Sequence, residues 1–205
     1  IMNKLVKDAL VLTAITLIAG VCLGGVYEIT KDPIARQEAQ AKAEAYEQVF
    51  TDAAAFEEIE MDDTLIQTIR DQLDQEGYKA QSIEEVMRAE DQSGETLGYA
   101  FTVVTSEGYG GDIQFSMGVQ NDGTLNGISI LSIGETAGLG MNADTPAFKD
   151  QFVGKQVEKL QYTKNGATQD DEINAISGAT VTTNAMTNGV NAGLCAFRVM
   201  EGGDQ

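Results

Sequence analysis

Residues Ala9 to Tyr27, ALVLTAITLIAGVCLGGVY, form a run of 19 positions without a charge. At 1.5 Å of rise per residue, a helix of that length spans about 28 Å, close to the ~30 Å hydrocarbon core of a bilayer. Lys4 and Lys7 precede the run, and acidic residues dominate after it. That asymmetry predicts a cytoplasmic N-terminus, with the remaining chain on the outer face of the cytoplasmic (inner) membrane. A cleaved signal peptide fits less well. The run is longer than the usual apolar region of about 7–15 residues, no A-x-A-like site follows it, and Val21 is a poor residue before Cys22 for a lipoprotein cleavage box. Residues 1–30 are therefore expected to form a single transmembrane anchor.

The pattern then changes. Lys31-Asp32-Pro33 is expected to break the first helix, because proline removes a backbone donor and clashes with the preceding turn. Ile34 to Phe50 is rich in Ala, Glu, Gln and Lys, good helix formers, and predicts a stalk helix. Met61 to Gly77 places Leu65, Ile69 and Leu73 at helical spacing and ends in Gly, predicting a short amphipathic helix. Residues 31–80 thus read as stalk and domain entry.

Beyond residue 80 the apolar period drops to two. Strands are predicted over Ile83–Ala89, Thr96–Thr105, Ile113–Val119 and Thr124–Ile133, with Ile113, Phe115, Met117 and Val119 on one face. Gln92-Ser93-Gly94 and Asn121-Asp122-Gly123 supply turns. Thr145-Pro146 predicts the start of a short helix. Gln156–Thr163 reads as a strand with a turn at Asn165-Gly166, and Val181–Met200 as a final helix. Ala185, Gly189, Ala192 and Ala196 share one face of that helix, which can therefore approach a sheet or a flat ligand closely. The expected fold class is α+β: an antiparallel β-meander packed with helices over residues 81–205.

Charge narrows the function. The chain holds 13 Lys and Arg against 32 Asp and Glu, a formal net charge of −19. No nucleic acid partner is expected, since a phosphate backbone needs a cationic surface. With no His there is no imidazole base, imidazole metal ligand or Ser-His-Asp triad. Two cysteines cannot complete a thiolate zinc site or an iron–sulfur cluster alone, so no metal is expected. Cys22 lies in the apolar run and Cys195 near the far end, so no intrachain disulfide is expected.

Two glycine-containing segments remain. Gly134-Glu135-Thr136-Ala137-Gly138-Leu139-Gly140 lies between a strand and a helix; by pattern alone it is a surface turn. Asn174 to Asn184 contains Ser177-Gly178-Ala179-Thr180 and leads straight into the last helix. Its hydroxyls, on Ser177, Thr180, Thr182 and Thr183, read either as ordinary helix caps or as part of an anion site. The first amides of a helix lack internal partners, and the macrodipole adds positive charge there.

Ser177-Gly178-Ala179-Thr180 resembles the S/T-G-A-T/S motif of the covalent-FMN domain family. That family includes the G subunit of Rnf ion-pumping complexes and the C subunit of the sodium-translocating NADH:quinone reductase. Three further segments resemble the family in order: Gly108-Tyr109-Gly110-Gly111, Glu135 through Gly140, and Phe148 through Phe152 to Gly154-Lys155. The resemblance implies FMN joined by a phosphoester to Thr180, at a site shared with Ser177, Gly178, Ala179, Val181, Thr182 and Thr183. It further implies contributions from Glu135, Thr136, Gly138, Leu139, Tyr109, Gly110 and Lys155, with the ring extending toward Glu135, Thr136 and Leu139. Ala137 stands where the family usually has Pro, and Asn174 where it usually has Asp.

By the same resemblance, the chain relays electrons between neighbouring membrane and redox subunits of an Rnf-type ferredoxin:NAD oxidoreductase that moves sodium ions or protons. It would have no independent catalysis and would need a flavin transferase for maturation. A tether suits a cofactor outside the cytoplasm, where dissociated FMN would be diluted away and an acidic body repels the phosphate. The alternatives are a component like the C subunit of the sodium pump, a tethered sensory or binding module with loose or no flavin, and a purely structural scaffold.

Overall fold

The computed structural model describes residues 2–203, which fall in two compact units divided between Ala41 and Lys42. Helix α1, Met2–Val49, runs from the first unit into the second.

In the first unit, Leu10, Leu12, Ile15, Leu17, Ile18, Val21 and Leu23 are all exposed. They form no protein core, as suits side chains meant for lipid, and the helix is long and apolar enough to cross a membrane. The expected break at Lys31-Asp32-Pro33 does not occur: Pro33 lies inside α1. A proline costs about 3 kcal/mol in a helix interior. Strong helix formers on both sides propagate a helix whose nucleation is already complete, and only one backbone bond is lost.

In the second unit, strands β1 (Ala55–Glu58), β2 (Gln81–Glu90), β3 (Thr96–Thr105), β4 (Ile113–Gln120) and β5 (Leu125–Ile133) pair in sequence order, all antiparallel. Helix α2, Asp63–Glu76, follows β1 and is capped at both ends. Asp62 accepts from the Leu65 amide at 2.7 Å, and Gly77 closes the other end at φ 90°. The short helix α3, Pro146–Lys149, starts at Pro146 as expected, but the Thr145 hydroxyl bonds back to the Asn142 carbonyl instead of capping it. The strand expected over Gln156–Thr163 is confined to β6, Gln161–Thr163. It pairs in parallel with an unforeseen strand β7, Glu172–Asn174.

The final helix α4, Thr180–Gly203, closes the core. Phe101 and Val103 of β3, and Ile113, Phe115, Met117 and Val119 of β4, form the apolar sheet face packed with Ala185, Met186, Val190 and Ala192 of α4. A Cβ at Gly189 would come within 2.8 Å of the Phe115 ring, so the absence of a side chain sets the distance between helix and sheet. The small-residue face thus meets the sheet. Asn191, also buried, binds the Leu160 backbone in both directions, accepting its N–H at 2.7 Å and donating to its carbonyl at 2.9 Å.

The other face of the sheet is covered by the end of α1. Phe50 rests over Gly118, where a Cβ would lie 2.9 Å from its ring. The Tyr46 hydroxyl bonds Glu85 Oε2 at 2.9 Å and Thr102 Oγ1 at 2.7 Å, and Lys42 pairs with the same Glu85 oxygen at 2.7 Å.

Candidate functional site

Strand register brings the first two segments together. Ile113 pairs with Ile133, so the loop before β4 lies beside the chain leaving β5. The Gly110 amide accordingly donates to Glu135 Oε1 at 3.2 Å. Helix packing brings in the third. Gly189 sits over Phe115, so the first turn of α4, nearly two turns earlier, lies at the end where β4 begins and β5 finishes. There the Thr182 hydroxyl donates to Glu135 Oε2 at 3.0 Å. Glu135, 8 % exposed, therefore joins both glycine loops to the helix. A Cβ at Gly140 would fall 2.6 Å from Thr182 Oγ1, so this approach requires glycine.

The turn before α4 is tight. The Ala179 amide donates to the Ile176 carbonyl at 3.1 Å, with Gly178 between them at φ 76°. Leu139 rests against Gly178, where a Cβ would meet its Cδ2 at 3.0 Å. The first helical bond of α4 runs from the Thr183 amide to the Ala179 carbonyl at 3.0 Å. Alanine thus occupies the cap position, and the amides of Thr180, Val181 and Thr182 precede the ladder.

Two of the four hydroxyls are committed to the fold. Thr183 Oγ1 accepts the Ile176 amide at 3.0 Å and donates to the Ala179 carbonyl at 2.9 Å, while Thr182 holds Glu135. Those of Ser177 and Thr180 make no hydrogen bond among the described residues, so neither caps the helix. Thr180 is half-buried, and Val181, Leu139 and Tyr109 are exposed, Tyr109 by 76 %. Thr136 and Gly138 shape the turn that carries Leu139: the Thr136 carbonyl accepts the Leu139 and Met141 amides, and Gly138 has φ 76°.

Lys155 is engaged elsewhere. Its ammonium donates to the carbonyls of Asp170 at 2.5 Å and Glu172 at 3.1 Å, tying the loop before β7 to the neighbouring hairpin. Asn174 accepts the Ala167 amide at 2.7 Å through its carboxamide oxygen, a bond an aspartate could equally make. Sequence reasoning missed Glu107, whose Oε2 accepts from Asn184 at 3.3 Å and Asn188 at 2.7 Å. Two amide side chains four apart on α4 were the available signal.

A free hydroxyl, unpaired amides and an uncapped helix start fit an anionic phosphate group, and the nearby Glu135 carboxylate is already held by protein donors. Exposed apolar side chains beside them suit an aromatic ring.

This arrangement defines an FMN-binding domain: the family of that description matches residues 108–194, and the RnfG N-terminal region matches residues 2–49. The G subunit of the Na(+)-translocating ferredoxin:NAD(+) oxidoreductase complex of Acetobacterium woodii is 31% identical over 94% of this chain and 91% of its own length. The G subunit of the proton-translocating complex of Clostridium ljungdahlii is 29% identical over the same shares, 94% and 91%. The C subunit of the Na(+)-translocating NADH-quinone reductase of Pasteurella multocida is 41% identical, but over only 35% of this chain and 31% of its own. The chain belongs to the G-subunit family of Rnf-type ion-translocating oxidoreductase complexes, and its N-terminal helix is the membrane anchor.

Proposed function

We propose that this chain is the flavin-carrying electron-transfer subunit of an Rnf-type complex, holding FMN through a phosphoester on Thr180. FMN accepts and releases electrons singly or in pairs; the protein supplies its position and electrostatic surroundings. Thr180 presents the oxygen. The amides at the start of α4 and the positive end of its dipole favour the phosphate's charge. Gly178 lets the backbone approach closely, and Leu139, Val181 and Tyr109 offer apolar surface beside the ring. Glu135 fixes the loops relative to the helix. The positive flank before the apolar run supports an orientation with the domain on the outer face, where a flavin transferase attaches the cofactor and neighbouring subunits exchange electrons with it.

The observation that carries this reading is the Thr180 hydroxyl, unpartnered at a helix start that no side chain caps. Intact-mass measurement of the purified chain tests it. The expected result is a gain of one FMN less one water, mapped to the peptide holding Thr180. An unmodified mass from cells containing the transferase would overturn it.

A further inference from the structure

A cavity of about 490 Å³ opens between α2 and the first residues of β2, away from Thr180 in the sequence and built from none of the residues assigned to the flavin. Ile66, Ile69 and Ile83 form part of its apolar lining, and Ile66 remains exposed. Arg70 and Lys79 line it against a single carboxylate, Asp74. Neither cation enters an ion pair among the described residues, so both charges are available to a ligand in the groove. In a chain with 32 acidic side chains, two unmatched cations beside exposed apolar surface favour an anionic occupant.

We propose that this groove docks a segment of a neighbouring polypeptide in the membrane assembly, setting apolar side chains against Ile66 and Ile83 and carboxylates against Arg70 and Lys79. The inference rests on the subunit role proposed above. A polypeptide segment brings apolar side chains and several carboxylates together, matching Ile66 and Ile83 beside Arg70 and Lys79, whereas a bare acyl chain carries no anionic charge to set against them. A second copy of this acidic chain would add self-repulsion.

The test uses the full chain in its membrane assembly, with Ile66 replaced by the photo-crosslinker p-benzoylphenylalanine. The expected adduct is with an Asp- or Glu-containing peptide of a different subunit. Its yield falls about tenfold when Arg70→Glu and Lys79→Glu are combined, and it falls as salt is raised. An adduct to lipid or to a second copy, the absence of any adduct, or an unchanged yield in the double variant overturns the proposal. Circular dichroism verifies that the double variant is folded; if it is not, Lys79→Gln with the same salt series supplies the readout. Flavin fluorescence in the same gel lanes reports on Thr180 separately, so failure of that reading is distinguished from failure of this one.

Discussion

Thr182 and Glu135 are 47 residues apart in the chain and joined by a 3.0 Å hydrogen bond that fixes the last helix to the loop after β5. Replacing Glu135 with Ala leaves the Thr182 hydroxyl and the Gly110 amide without their acceptor. Unmade bonds of buried groups cost about 1–3 kcal/mol. Glu135→Ala is therefore expected to lower the urea unfolding free energy by that amount and to reduce flavin per chain. Glu135→Gln, which keeps one acceptor oxygen, should lose less of both. Equal flavin content in wild type and Glu135→Ala would contradict this role.

Thr180 should behave in the opposite way. Its hydroxyl has no partner in the fold, so Thr180→Ala, compared with wild type when both are made without flavin, is expected to change stability by less than about 0.5 kcal/mol. In cells that attach flavin, the same variant should give a dark band on a denaturing gel. Thr180→Ser, which retains a hydroxyl, should restore fluorescence. The assembled complex should lose electron flux in the Ala variant while keeping its subunits.

The contact between Gly189 and Phe115 gives a packing prediction. Glycine to alanine gains about 1 kcal/mol of helix propensity. Forcing a methyl into a filled core costs about 1–3 kcal/mol. Gly189→Ala is expected to destabilise because its new Cβ meets a ring fixed in the core. Gly202→Ala, with nothing within 4 Å, should be neutral or stabilising. Thermal unfolding of the two variants side by side decides it.

The junction of α2 and α4 sets two pH limits. Burial, then the hydrogen bond to Glu76, pushes the Cys195 thiol from 9.0 to about 12. The folded state keeps a proton that the unfolded chain releases, so this contribution is complete below about pH 9 and is lost as pH rises toward 12. Burial alone would raise Glu76, but hydrogen bonds from Gln72, Arg198 and Cys195 outweigh it and hold the carboxyl below its ordinary 4.5. Its contribution is present above that value and fades as pH falls through the lowered one. Urea midpoints across the pH range should show both slopes. Cys195→Ala should flatten the alkaline slope, and the wild-type thiol should resist maleimide until the protein unfolds.

Much of the domain was legible in the sequence. Alternation in β3 and β4 and glycine at the turns fix the meander, since register follows from which face is buried. The small face of α4 announced close packing, and it lies on the sheet. Other features were hidden. AFEE of β1 has no alternation, and β7 is three residues long; both exist because a neighbouring strand offers them hydrogen bonds. The continuation through Pro33 depends on flanking propensities that no single residue displays. At the site, pattern alone made the segment of Glu135 a surface turn and only the family resemblance drew it into the site; the fold reveals that both its oxygens bind protein donors. Lys155, likewise drawn into the site only by resemblance, donates its ammonium to the carbonyls of Asp170 and Glu172.

The position of α4 has a consequence for biosynthesis. A growing chain completes the five strands of the meander before the 24 residues of α4 are made, so Phe101, Phe115 and Met117 stay wet until that helix emerges. The segment that then shields them also delivers Thr180. A chain truncated before Thr180 lacks at once the lid of its core and the hydroxyl proposed to carry the flavin.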